Sequence, residues 1–464
     1  MRFPVVLSAL VLLILPGAAR AADIYVDPAR AGCSDSASAV VAGRAETPWC
    51  SLTPAMRLAR PGDVVHVAAA TYAAQFRPVV SGTPTAPIVY QADGAVTISA
   101  PAGAPSAMLT GVHDLVLRGI TILAAAPQAV WIDNSARIVL DGDGVTNSAG
   151  TGVQVKAGTA VTITHSRLVG NARAGLAEMP QSVGLTLTSS TISGNGKDGQ
   201  QYNGDGVGLN GTGGSVTDDW ISDNGDGIGF EHGVYAGPTA SGYLIARNLI
   251  SQNAGADIKA AGGPGVVADN QLGSSMFGLV ISDNPALVTA EYNLIQGRFQ
   301  HAILITTGTT AAQAQLWNNT VEQTGRSTAS GNASAVFVVS AARLELRNNL
   351  FAYTNPDLLG SAFLLNDQTR VGSFSADANW YASPDPAQLR VAWNGARVTL
   401  ARWRLLSGQD AGSIDSAPPA FTADGRVASS NLGVGKGAML GLTYDLAGVP
   451  LPASAPPDIG AFQH

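Results

Sequence analysis

The sequence predicts an all-β solenoid in which short strands stack coil upon coil around one long core. Three observations predict it. First, a strand motif recurs from Leu115 to Phe363: LVLRGITI (115–122), VTITHSRL (161–168), LTLTSSTI (185–192), LIARNLI (244–250), VVADNQL (266–272), VTAEYNLI (288–295), AQLWNNTV (314–321) and LELRNNLF (344–351). Second, another motif is interleaved with it: AVWID (129–133), GVQVK (152–156), GVGLN (206–210), GIGFE (227–231), ADIKA (256–260), GLVIS (278–282), AILIT (302–306), AVFVV (335–339) and AFLLN (362–366). Each unit is too small to bury its own apolar face, so stacking must supply the core. Third, Ser166, Ser190, Asn248, Asn270, Asn293, Asn319 and Asn349 all stand two residues before the last apolar position of the first motif. Asparagine repeated at one offset is what a stacked amide ladder in a turn requires, each side chain bonding to the next coil.

Composition agrees. Charged residues are only 13% of the 464, too few for disorder, and the 54 glycines follow no collagen period. Many glycines with few charges suit short strands joined by tight turns. A net charge of -7 excludes a general nucleic-acid binder but leaves room for a local basic cluster that holds an acidic glycan.

In chain order, Arg2, the apolar run Val5 to Leu15 and Ala19-Arg20-Ala21 read as a secretory signal, residues 1–21, which predicts an exported, secreted or periplasmic protein. No later segment is apolar enough to span a bilayer, so no membrane span is expected after cleavage. Cys33 and Cys50, the only cysteines, are expected to pair, closing a loop worth about 3 kcal/mol in the chain-entropy account. Asp23 to about Gln91 reads as a cap with one short helix within Ser51–Arg60, stopped by Pro61-Gly62, and a strand in GDVVHVAAATY. The solenoid with its cap is placed at 22–376. Residues 377–464 lack the repeat and read as a C-terminal cap with a short helix at Leu400 to Leu406, since an open solenoid end must be covered. A monomer is expected.

Strand side chains alternate between core and surface. On the second motif this puts Gly208 and Asn210 outward, then Gly229 and Glu231, then Asp257 and Lys259. With coils about 4.8 Å apart, Asn210, Glu231, Lys259 and Ser282 are expected in one outward column, and Gly208, Gly229, Asp257 and Val280 beside it. The two glycines leave a trough for a sugar ring. His232 and Tyr235 follow in the next turn. Asp205 and Asp226 lie in matching Asn-Gly-Asp-Gly turns, 203–206 and 224–227, whose oxygens suit Ca²⁺. The plain alternatives are a Glu231–Lys259 surface ion pair and ordinary turn-forming aspartates.

IYVDPARAG with PGDVVHVAAATY near the start, and PPDIGAFQH at the end, resemble the entry and exit of right-handed parallel β-helix proteins of the pectate-lyase-like type. The resemblance covers nearly the whole mature chain. It implies a polysaccharide partner and β-elimination on a uronic-acid polymer, in which a cation neutralises the uronate carboxylate and Lys, Arg or a similar base removes the C5 proton. On that reading Lys259 is the base, Glu231, Asp226 or Asp205 holds the metal, and His232 and Tyr235 are the alternative base and acid. Asn210, Asp257, Arg247, Gly208 and Gly229 contact the substrate. The sequence departs from the pattern in one respect: NGDGIGF (224–230) resembles a calcium-binding strand of one lyase group, but Glu231 stands where a lysine is expected. A glycosidase on the same fold would pair Glu231 with Asp257 or Asp226. A non-catalytic glycan-binding solenoid would need none of these roles.

Overall fold

The computed structural model describes residues 21–463, except 43, 200–203, 228–230, 284–285, 308–311, 327–332, 359–361, 365–370, 394–395, 428–431 and 453. Residues 1–20 of the signal segment and Gly229 therefore lie outside the described residues.

Each coil contributes three short strands. Thr162–Thr164, Arg167–Val169 and Leu176–Glu178 form one coil, and the next coil pairs with it in parallel, Ile163 beside Leu187, Leu168 beside Ile192 and Leu176 beside Val207. The first two faces merge into a 25-stranded sheet, and the third forms a 13-stranded sheet. The result is a parallel β-helix with a triangular cross-section. Its core is the run of inward side chains. On the third face Val153, Leu176, Val207, Val234, Ile258, Leu279, Ile303 and Val336 stack in one buried column. Each such side chain contributes roughly 1.5–3 kcal/mol by leaving water.

The bend between first and second faces repeats one conformation. A residue with positive φ (His165, Ser189, Asp218, Arg247, Asp269, Tyr292, Asn318, Asn348) turns the chain, and the next residue points inward. Those inward residues form the expected ladder. The Asn248 amide donates to Asn270 Oδ1 at 2.9 Å, and the same bond repeats from Asn270 to Asn293, Asn319, Asn349 and Asn379. Each Nδ2 also donates to a carbonyl of the preceding coil, as Asn293 does to Val267 at 2.8 Å. A second ladder, not foreseen, joins Asn171, Asn195, Asn224 and Asn253 at the bend from second to third face, with spacings of 2.9–3.0 Å.

The first ladder runs on through Asp143 and Asp219, which no sequence motif had included. Asp219 Oδ1 accepts the Ser190 amide and its own amide donates to Asn248 Oδ1. Its Oδ2 occupies the place of an asparagine Nδ2 and has no hydrogen-bond partner. Burial, the largest cause, raises both Asp143 and Asp219 to about 7. A protonated aspartic acid is thus the form that fits the rung.

The N-terminal cap matches expectation. The helix Leu52–Leu58 begins on Ser51, whose side chain accepts from Thr53, and the strand Val64–Tyr72 follows. Cys33 and Cys50 are joined in a disulfide. At the other end parallel pairing runs past residue 376: Trp380 lies beside both Leu350 and Ile414. The coil therefore continues into the segment read as cap, because the Asn349–Asn379–Asp410 rungs extend the ladder there. The helix Leu400–Ser407 forms as expected, capped by Thr399 and Gly408, and buries Leu400 and Trp403. The tail then folds back along the outside, its Gly460 and Ala461 amides bonding to the Asn348 carbonyl and Thr320 Oγ1. No helix among the described residues is long and apolar enough to cross a membrane.

The ladder acids set a pH dependence. Asp219 rises from an ordinary 3.8 to about 7 in the fold. Between these values the fold keeps a proton that the unfolded chain has released, so stability falls as pH rises through the window. Asp219→Asn supplies the missing donor at all pH values. It should melt higher than the parent at pH 8, by roughly 1–3 °C, with the gap closing toward pH 5. Thermal melts at both pH values check this, and an equal gap at both would refute the protonated rung.

Candidate functional site

The third face carries the polar groups. Its outward positions form one column, reading Trp131, Gln154, Ala177, Gly208, Tyr235, Lys259 and Val280 on successive coils. The middle of the column is shallow because Ala177 and Gly208 are small. A methyl group on Gly208 would meet nothing nearer than the Leu176 carbonyl at 3.8 Å. Packing therefore does not demand this glycine, and its absence of side chain leaves open space. A groove of about 360 Å³ lies there, with Gln154, Arg173, Glu178, Asp205, Asn210 and Tyr235 along it. The two connectors entering this part of the face, 194–206 and 223–233, are far longer than 252–255 one coil on, and Asp205, near the end of the first, borders the groove.

This register corrects the expected columns. Residues 228–230 of GIGFE lie outside the described residues, and it is another stretch that pairs with GVGLN. That stretch is Val234–Ala236, with Gly208 beside Tyr235 and Tyr235 beside Lys259. The coil Ser215–Thr217 with Trp220–Ser222 shifts the register, since Asp219 replaces the ladder asparagine there and the strand motif is broken. Glu231 consequently falls in the connector before the strand and is fully buried, not outward. Among the described residues it forms no ion pair with Lys259. Asp257 is likewise buried, not outward. It accepts from the Ser275 hydroxyl and from Asn253 Nδ2 at 3.2 Å, and burial holds its carboxyl well above the usual range. Arg247 occupies the positive-φ corner between first and second faces, across the section from the groove, where it forms a two-pronged ion pair with Asp218 at 2.8–2.9 Å. The matching Asn-Gly-Asp-Gly turns do not stack either. Asn224 pairs in the ladder with Asn195, whereas Asp205 lies beside His232.

The structure brings Asp205, Gly208, Asn210, Tyr235 and Lys259 together. Lys259 Nζ sits 5.3 Å from the centre of the Tyr235 ring, a cation–π contact. Tyr235 is half-buried, and its phenol is raised first by burial and then by the charges of Asp205 and Asp283. Asp205 Oδ1 accepts the His232 amide at 2.7 Å. Burial, reinforced by Glu231 and opposed by that amide and by Lys259, raises Asp205 to about 7. A carboxyl poised near neutrality suits proton transfer in either direction. His232 is buried, its ring 5.7 Å from that of Tyr235, and its Nδ1 accepts the Ala256 amide at 3.0 Å. A ring nitrogen that accepts an amide is unprotonated, so the neutral imidazole carries its proton on Nε2. Burial, then Lys259, lowers the ring to about 3. His232 is thus a fixed acceptor that orders the connector rather than a base.

Gln154, Arg173 and Glu178 were not singled out from sequence. Gln154 is legible in hindsight, since it is the outward residue of GVQVK. Glu178 is not, because it occupies an inward position, beside Val155, and turns its Oε2 to the Asn210 and Gly211 amides at 3.2 and 2.9 Å. Burial raises its carboxyl despite those two bonds. Arg173 is half-exposed and paired with Asp198 at 3.2 Å.

The fit of Ca²⁺ is poor. Among the described residues no three His, Cys, Asp or Glu side chains gather as a metal site. Asp226 stands in the next connector, out of step with Asp205, and one Asp205 oxygen is already engaged.

A family model described as right handed beta helix region matches residues 107–240. Among solved structures, XylC in complex with xylose is similar at TM-score 0.55 and 9% identity, covering 95% of this chain and 98% of that one. The PL6 family alginate lyase AlyGC is similar at TM-score 0.53 and 12% identity, covering 87% of this chain and 55% of that one, so this chain spans about half of it. The pectate lyase Pel9A is similar at TM-score 0.47 and 14% identity, over 97% and 98%. No curated protein matches the sequence. At these identities the likeness establishes the right-handed β-helix fold, and the chemistry has to be argued from the groove.

The His232 assignment has a direct test. Its ring nitrogens, read by long-range ¹H–¹⁵N correlation, should show the Nε2-protonated form and no titration between pH 8 and 5, since its pKa is lowered to about 3. A titration midpoint near 6.5 would overturn the buried acceptor role.

Proposed function

We propose that the protein is an exported, carbohydrate-active enzyme that binds a uronic-acid polysaccharide in the third-face groove and cleaves it by β-elimination. One observation carries this reading: Gly208, Tyr235 and Lys259 stand on successive coils of one outward column, with the Lys259 Nζ over the Tyr235 ring and Asp205 beside them. The open floor at Gly208 accepts a sugar ring. Lys259 faces the uronate carboxylate and offsets the charge that grows there as the C5 proton leaves, which is the main barrier to the reaction.

The sequence pointed to Lys259 as base and to Asp205 as metal ligand. The groove favours another division. Asp205, held near 7 in a desolvated position, removes the C5 proton. Tyr235, kept protonated by its raised pKa, donates to the departing glycosidic oxygen on C4. The C4–O bond breaks as the C4–C5 double bond forms, and the proton on Asp205 returns to the Tyr235 phenolate through solvent. No step draws on a metal. The leader-like run Val5 to Leu15 keeps export within the proposal.

A second reading has its own observation. Glu178 and Asp205 both border the groove and both have raised pKa values. Two such carboxyls are the equipment of a glycoside hydrolase.

Incubation with alginate, pectate and glycosaminoglycans, followed by ultraviolet absorbance of the unsaturated end, separates the readings. The lyase predicts that absorbance, and predicts that Asp205→Asn and Tyr235→Phe each lower kcat/KM by on the order of 10²-fold or more. Because the base must be ionised, kcat/KM should fall about tenfold per pH unit below roughly 7. New reducing ends without the absorbance, lost in Glu178→Gln, select the hydrolase. Silence on every polymer, with and without calcium, sinks both and leaves a glycan-binding solenoid.

A further inference from the structure

A cavity larger than the groove lies elsewhere on the solenoid. It lies on the edge between second and third faces, further toward the C-terminus, and has a volume of about 500 Å³. Four successive coils build it: Gln252 and Asn253, then Ser274 to Met276, then Arg298, then Arg326. Its floor is rigid. The Asn253 amide donates to Ser275 Oγ at 2.9 Å, Ser275 donates to the buried Asp257, and Asn253 Nδ2 donates to the same carboxyl at 3.2 Å. Asn253 Oδ1 closes the ladder by accepting from Asn224 at 3.0 Å. These groups are engaged with one another, so a ligand must use the walls.

The walls are cationic. Arg298 is exposed and, among the described residues, forms no ion pair. Its stem lies against Gly325, where an added methyl group would meet Arg298 Cγ at 3.1 Å, so the glycine makes room for it. Arg326 donates to the Asp357 carbonyl at 3.4 Å. Among the described residues no Asp or Glu lines the cavity. The contrast along the same edge is instructive. Nearer the N-terminus Arg173 and Lys197 each meet an aspartate, at 3.2 and 3.0 Å. In a chain with net charge -7, two arginine side chains on the walls of one cavity select an anion. Asp257 beneath is enclosed by Ser275 and Asn253, and burial raises its carboxyl well above the usual range.

The remaining walls decide what kind of anion. Gln252 offers an amide, Ser274 a hydroxyl and Met276 an apolar thioether surface. Donors and acceptors beside one apolar patch match a sugar ring, which carries hydroxyls around its rim and C–H groups on its faces. We propose that this cavity is a second binding site, for a carboxylated or sulfated sugar unit, held by Arg298 and Arg326. It lies about four coil spacings, roughly 19 Å, along the axis from the groove. The site is separate from the cleavage chemistry and stands whether that chemistry is elimination or hydrolysis.

Calorimetric titration with glucuronate, galacturonate and N-acetylglucosamine 6-sulfate tests it, with glucose and inorganic sulfate as controls. At least one acidic sugar should bind the full-length protein, weaken as salt is raised, and bind more tightly than sulfate, while glucose does not bind. The carboxylated and sulfated probes show which acid the site prefers. Arg298→Gln with Arg326→Gln should weaken that binding by about tenfold or more, with circular dichroism and melting unchanged. Lys259→Met, in the groove, should leave it intact. The proposal is overturned if no acidic sugar binds, if sulfate binds as tightly as the sugars, or if binding survives the arginine variants and is lost in Lys259→Met.

Discussion

Everything in this protein depends on the hydrogen bond between asparagine side chains of neighbouring coils. A coil with three short strands must turn sharply at each corner, and the corner between first and second faces does so with non-glycine residues at positive φ. Such residues are strained by roughly 1 kcal/mol each. The inward amide beside each one satisfies the corner's own backbone groups and also grips the next coil, through bonds of 2.9–3.0 Å repeated from Asn248 to Asn379. A buried amide with an unmet donor or acceptor costs about 1–3 kcal/mol. The next coil must therefore arrive in register or forfeit that bond. The ladder thus sets which residue of each coil lies above which, and so determines the neighbours of every outward side chain on the third face.

That dependence explains what was legible in the sequence. The solenoid, the disulfide and the two longer helices were readable because they rest on local patterns: alternation of apolar residues, a serine cap, a Pro-Gly stop, a column of asparagines. The groove was only half readable. Gly208 and Lys259 were placed outward correctly by alternation within their own strands. Their neighbour was not, because the coil holding Asp219 and Trp220 departs from the motif at the position used for alignment. Missing that coil handed the strand to GIGFE and denied it to Val234–Ala236. Glu231 and Asp257 were then assigned to the surface although both are buried. A period-two pattern says which face a residue takes within a strand. It does not say which strand lies beside it, and a site made of stacked coils needs both.

The same geometry explains why the groove sits where it does. Elsewhere on the third face the outward column carries bulk, from Trp131 at one end to Val280 at the other. Between them Ala177 and Gly208 lower the floor, and Asp205, near the end of a long connector, borders it. Both Asp205 and His232 are held away from water. Exclusion is what shifts their pKa values in opposite directions, the acid up and the imidazole down, since in each case burial disfavours the charged form. The long connector therefore brings to the groove an acid already tuned by burial.

Tuning of this kind is destabilising, and the scaffold is built to bear it. Asp205 with its raised pKa, Glu231 and Asp257 lie on three successive coils, all with restricted access to water. Placed in a small domain, such a group of acids would threaten the whole fold. In a solenoid each coil contacts chiefly its two neighbours, so a local penalty is shared with them rather than with one central core. The second ladder, Asn171 to Asn253, runs through the bends from which the third-face connectors spring and is anchored at its end by Ser275 and Asp257. It clamps the connectors at their roots while leaving their lengths unconstrained. A fold whose coils are locked by one hydrogen bond at each corner can vary the chain between corners. The unusual chemistry of this chain is found between corners, at Asp205 and His232.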